Sequence, residues 1–179
     1  MRYRRAYVKG ASYFFTVNLA ERNLHLLTEH IGFLRDSFRM VMAAHPFIID
    51  AIVILPNHLH TIWTLPVDDS DFSTRWGLIK AGFSRRLPTS ECVSKSRLSK
   101  GERGIWQRRF WEHLIIDDAD YQCHVDYIHY NPVKHGFVIN VLDWPYSSFH
   151  RYVSLGLLSI DWTGTKTVSK ICNIETDME

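Results

Sequence analysis

His58 and His60 stand one residue apart at the start of an apolar run, directly after Pro56 and Asn57. Alternate side chains of an extended strand leave on the same face, so the two imidazoles project together and can share one metal ion. The plainer use of such a pair is local hydrogen bonding at a sheet edge. Much later, Tyr127 and Asn131 are four residues apart in a stretch whose apolar residues have helical spacing. That separation puts both on one helix face, where a phenol and an amide oxygen address the same target. A helix terminus in which the Asn caps and the tyrosines pack would use the same residue types. Tyr130 is a rival nucleophile, but only Tyr127 has the spacing that joins it to Asn131.

The elements that must position these groups can be read from local pattern. Phe47–Leu55 and His58–Leu65 both read as strands, and the two turn-forming residues between them predict a hairpin. His58, His60, Ile62 and Thr64 then share one face, and Leu59, Thr61, Trp63 and Leu65 the other. Ser12–Leu19 alternates and is rich in aromatic and β-branched residues, which predicts a first strand. Ile31, Leu34, Phe38 and Val41 lay one stripe along a helix from His30 to Ala44 that should cover one face of the sheet. Ser70 or Asp71 would cap a second helix carrying Phe72, Trp76, Ile79 and Phe83, basic on its outward side.

From Leu87 to Gly104, Pro, Ser, Lys and Gly mix without apolar period, which predicts a mobile loop of unusual length. Ile105–Ile116 alternates and reads as a fourth strand, with Trp106, Arg108, Phe110 and Leu114 on one face and Arg109, Trp111 and His113 on the other. Asp117 and Asp118 would cap the helix of Tyr127, with Tyr121, Val125 and Ile128 as its buried stripe. Pro132 disfavours helical geometry in the residue before it, so that helix is expected to end at Asn131. His129 faces elsewhere and reads as a surface histidine. Trp144-Pro145 and the serines after it predict a turn and a further helix to about Gly156.

The order strand, helix, strand, strand, helix, strand predicts an α+β chain. Its sheet is a ferredoxin-like split βαβ antiparallel sheet with helices on one face, followed by C-terminal helices. Residues 1–163 are expected to form a single domain and 164–179 a C-terminal tail. A chain of 179 residues, 46% hydrophobic, suffices for one core and is short for two. No apolar run reaches membrane-spanning length and no signal-peptide pattern follows Met1, so the expected location is cytoplasmic. Cys92, Cys123 and Cys172 are widely spaced and odd in number, which argues against a disulfide framework or a zinc ribbon.

Net charge is only +2, but it is unevenly placed. Between Arg75 and Arg109 ten basic residues face two acidic ones, a net of +8, while the remainder carries −6. Such concentration is the footprint of a polyanion binder. Arg75, Lys80, Arg85, Arg86, Arg108 and Arg109 are candidate phosphate contacts, joined by Arg4 and Arg5 of the N-terminal arm and by Lys134. Trp106 and Trp111, interleaved with arginines, are candidates for stacking on unpaired bases.

Pro56-Asn57-His58-Leu59-His60 together with the stretch from Tyr127 through Asn131-Pro132-Val133-Lys134 to His135-Gly136 resembles the single-tyrosine HUH (His-hydrophobic-His) transposases, and within them the REP-associated tyrosine transposases. The resemblance covers roughly residues 3–162, including Trp106–His113 and Asp143–Phe149. It implies a sequence-specific endonuclease and transposase acting on single-stranded DNA with REP-type palindromic hairpins. Tyr127 would be the nucleophile, forming a 5′-phosphotyrosine and leaving a free 3′-hydroxyl. His58, His60 and Asn131 would be the metal ligands, and the chain would act as a monomer. Two nitrogens and a neutral oxygen leave open positions for substrate oxygens, and with no cysteine in the set Mg²⁺ or Mn²⁺ suits a nuclease. The competing readings are a non-catalytic nucleic-acid-binding module and a metal-dependent phosphoesterase.

Overall fold

The computed structural model describes residues 6–89 and 93–164. Four strands, β1 (Ser12–Asn18), β2 (Ile48–Ile54), β3 (His58–Thr64) and β4 (Trp111–Leu114), form one antiparallel sheet in the order β2-β3-β1-β4. This is the order of the split βαβ arrangement, and the chain is α+β. The helices are α1 (Leu26–Glu29), α2 (Ile31–Ala44), α3 (Phe72–Arg86), α4 (Lys95–Leu98), α5 (Asp118–Lys134) and α6 (Phe149–Ser154).

Period-2 alternation sorts the sheet's side chains to two layers. Tyr13, Phe15 and Val17 of β1 join Leu59 and Trp63 of β3 on the face covered by α2 and α3. There Leu34, Phe38 and Val41 meet Phe72, Trp76, Ile79 and Phe83, and the Trp63 and Trp76 rings stack 4.2 Å apart. Phe14, Val53 and Ile62 point to the opposite face, where Val125, Tyr127 and Ile128 of α5 cover them. The alternation that buries Leu59 and Trp63 against α2 and α3 therefore delivers His58 and His60 to the side of α5.

The β2–β3 hairpin has the expected two-residue connection, closed by Leu55 N–H donating to the His58 carbonyl at 2.9 Å. Asp71 caps α3 through Thr74 N–H, and Asp117 caps α5 through Asp120 N–H. The outer edge of β2 is covered by residues 146–148: Ile54 N–H donates to Tyr146 and Ser148 N–H to Ile52, which removes an exposed edge.

Three local expectations change. α5 runs through Pro132 to Lys134 instead of ending at Asn131. Proline removes one donor near the helix end, and the next turn is closed by Gly136 (φ +70), with Gly136 N–H donating to Val133 and Phe137 N–H to Pro132. β4 is four residues long, not twelve. The preceding stretch pairs only through an isolated Leu19–Trp106 bridge just past β1 among the described residues, and Trp106 turns into the core against Phe83. The segment 87–104 is not featureless: it contains α4 and is tied by arginines. Arg97 donates to the carbonyls of Arg103 and Trp106, and Arg103 to those of Leu87 and Pro88. Ser90–Cys92 of this segment, Arg4, Arg5 and tail residues 165–179 lie outside the described residues.

Candidate active site

β3 and α5 bring the His58, His60 and Tyr127 side chains together. The His58 and His60 rings lie 5.0 Å apart, and His60 meets Tyr127 edge-on at 5.2 Å between ring centres. Both imidazoles are held through Nδ1: His58 by Asn57 Oδ1 at 2.6 Å and His60 by Thr16 Oγ1 at 2.8 Å. A partner on one ring nitrogen fixes the orientation of the other and so prepares it as a ligand.

Both rings are neutral at physiological pH. Burial, reinforced by the charges of His135, Arg22 and Lys134, pulls His58 down to about 3. Burial, with His58 and other cationic neighbours, holds His60 well below the usual imidazole range. Neutral imidazole is the ligating form.

Tyr127 is 2% exposed and Asn131, one turn further along α5, is fully buried. The Tyr127 hydroxyl and both polar atoms of the Asn131 amide have no hydrogen-bond partner among the described residues. Buried polar groups are nearly always paired, and leaving one unsatisfied costs about 1–3 kcal/mol. An orphaned phenol oxygen beside the His60 imidazole, with an orphaned amide one turn along the same helix, fits a hard divalent cation and a phosphate group. Lys134 Nζ lies 5.0 Å over the Tyr127 ring, placing a cation beside the phenol. His135, not singled out in the sequence, sits 5.2 Å from His58. Its signal was there, one residue after Lys134 in the same stretch.

Other site expectations are corrected. His129 is wholly buried, not on the surface, with Nε2 2.9 Å from Ser148 Oγ. Arg75 is 2% exposed and donates to the carbonyls of His45, Asp71 and Pro46 and to the Asp69 carboxylate, so it braces the fold and cannot reach DNA. Trp106 is 6% exposed, with its indole N–H on the Lys80 carbonyl, and is a core residue rather than a stacking platform.

The remaining basic candidates among the described residues lie on or near the surface. Lys80 donates to the Gln107 carbonyl and covers the Trp106 and Phe110 rings. Arg86 pairs with Asp36 and Arg108 with Glu102, while Arg85 and Arg109 are exposed. Lys80, Arg85, Arg97, Arg103 and Arg108 line a groove of about 500 Å³. Trp111 is half-buried, edge-on to Phe14 and stacked on His113. Among the described residues, no helix is long and apolar enough to cross a membrane.

No family model matches the chain. It is 51% identical over 165 residues to the REP-associated tyrosine transposase of Escherichia coli (strain K12), covering 92% of each chain. A relative from Haemophilus influenzae is 48% identical over 164 residues, 90% of this chain and 93% of its own. Among solved structures, a REP-associated tyrosine transposase bound to a REP hairpin superposes with a TM-score of 0.80 at 49% identity, covering 92% of both chains.

Proposed function

The chain belongs to the REP-associated tyrosine transposases, and from that premise we propose that it cleaves and rejoins single-stranded DNA beside REP-type hairpins, with Tyr127 as nucleophile. The observation that carries this reading is the buried Tyr127 hydroxyl, without a hydrogen-bond partner among the described residues, beside the neutral imidazole of His60.

The Tyr127 oxygen attacks a backbone phosphorus and the phenolic proton is lost. The bond from phosphorus to the 3′-oxygen breaks, and that oxygen leaves as a hydroxyl after taking up a proton. The new phosphotyrosine keeps the energy of the broken ester, so an incoming 3′-hydroxyl can reverse the step without ATP. His58, His60 and Asn131 would hold Mg²⁺ or Mn²⁺, which when bound polarises the phosphodiester. The Lys134 ammonium favours the phenolate as the proton departs and attracts the phosphate. Arg85, Arg108 and Arg109, with the groove of which the first two form part, supply charge for the flanking strand. His58, His60, Tyr127 and Asn131 all come from one chain, which supports action as a monomer; the expected setting is the cytoplasm.

A labelled REP hairpin oligonucleotide incubated with protein and Mn²⁺ should give a covalent adduct on a denaturing gel. Tyr127→Phe should abolish it. An undiminished adduct with Tyr127→Phe would contradict the assignment. Salt-sensitive binding without any adduct from the wild type would favour a non-catalytic nucleic-acid-binding module.

A further inference from the structure

A second cluster of ligand-type side chains lies where β4 passes into α5. His113 Nε2 is 2.8 Å from Asp120 Oδ2, and His124 Nδ1 is 3.0 Å from Asp120 Oδ1. One carboxylate is therefore flanked on each oxygen by an imidazole nitrogen, and one ligand atom from each residue falls within 4.8 Å of the others. We infer that His113, Asp120 and His124 form a second divalent-metal site, suited to Zn²⁺, that fastens β4 to the first two turns of α5.

The donor set is the argument for the ion. Two nitrogens and one carboxylate oxygen match the preferences of Zn²⁺, and a water can complete a tetrahedron. Side-chain exposure of 33% at His113 against 5% at His124 leaves an open side for that water. Asp120 Oδ2 can keep its bond from Ile116 N–H, whereas the contact of His124 Nδ1 with the Asp120 carbonyl, 2.9 Å, has to open for that nitrogen to turn to an ion. Ligation requires His113 Nε2 and His124 Nδ1 to be free of hydrogen, each ring carrying a proton on its other nitrogen.

This cluster is distinct from the His58–His60 pair, although the Phe14 ring packs on both His60 (5.6 Å) and His124 (4.6 Å). His124 precedes Tyr127 by three residues, one helical turn. An ion here would fix the start of α5 against the sheet and so set where the phenol stands.

Zn²⁺ titrated calorimetrically into the full chain tests the assignment. Wild type should take two equivalents and His113→Ala one. His58→Ala/His60→Ala should retain one, with a Tm raised by about 5 °C at a hundredfold excess over its dissociation constant, and adding His113→Ala should abolish both. If wild type and His113→Ala bind the same number of equivalents, the three residues are only a hydrogen-bonded brace and the inference fails. If the double histidine variant does not fold, the comparison of wild type with His113→Ala still decides.

Discussion

The imidazole of His60 stands edge-on to the phenol of Tyr127, ring centres 5.2 Å apart, while its Nδ1 is held by Thr16 of the neighbouring strand. Thr16 pairs directly with His60 in the β1–β3 register, so strand pairing itself brings the orienting hydroxyl to the ring. Replacing Thr16 with Val keeps shape and strand propensity but removes that hydroxyl. The expected result is a roughly 10–100-fold higher Mn²⁺ concentration for half-maximal adduct formation, with Tm little changed. An unaltered metal dependence would show that packing alone orients the ring.

Stability and function should oppose each other at α5. The Tyr127 hydroxyl and the Asn131 amide are buried without partners among the described residues. In metal-free protein, Tyr127→Phe should be neutral or stabilising by up to about 1 kcal/mol in urea unfolding, and Asn131→Leu should behave similarly if its volume fits. Both should lose adduct formation. A substantial loss of stability in Tyr127→Phe would contradict the reading of its hydroxyl as unsatisfied.

Two arginines from the same basic segment should separate by role. Arg75, with its guanidinium buried on three carbonyls and Asp69, is structural. Arg75→Ala should cost about 3 kcal/mol, because it removes the four hydrogen bonds made by a buried guanidinium together with the packing of its stem. Arg109 is exposed. Arg109→Ala should leave Tm unchanged while lowering the salt dependence of DNA binding by about one unit of slope. Equal Tm losses in the two variants would contradict the division.

Acid sensitivity should trace in part to His129. Burial, with Arg151 nearby, pulls its pKa down to about 3, against 6.5 in an exposed imidazole. Between those values the unfolded chain binds a proton that the folded chain does not. Its contribution to stability is therefore complete above about pH 6.5 and declines as pH falls towards 3, by up to about 1.4 kcal/mol per pH unit. Urea midpoints measured from pH 7 to 4 should fall less steeply in His129→Gln than in wild type. Parallel slopes would mean that this imidazole is protonated in the folded state.

What was legible in the sequence was periodicity. The alternation of β3 placed His58 and His60 on one face, the four-residue step put Tyr127 and Asn131 on one helix face, and the pairs Ser70/Asp71 and Asp117/Asp118 marked helix starts, of which Asp71 and Asp117 are the caps. The strand order followed from the sequence of elements. What periodicity does not carry is the identity of a side chain's neighbours. Arg75 and Arg109 look alike in a charge count, yet one is enclosed by carbonyls contributed by the α2–β2 connection and the start of α3. Trp106 continues the alternation of β4 on paper but leaves the sheet to fill a gap beside Phe83. The cluster of His113, Asp120 and His124 needed the β4–α5 turn to become visible, since it joins a strand position to an i, i+4 helical pair.

The most direct test of Tyr127 as nucleophile is mass mapping of the covalent adduct after proteolysis. The phosphonucleotide should be found on Tyr127, in wild type and in Tyr130→Phe alike, and on no other residue. A modified Tyr130, or a modified residue outside α5, would contradict the central claim.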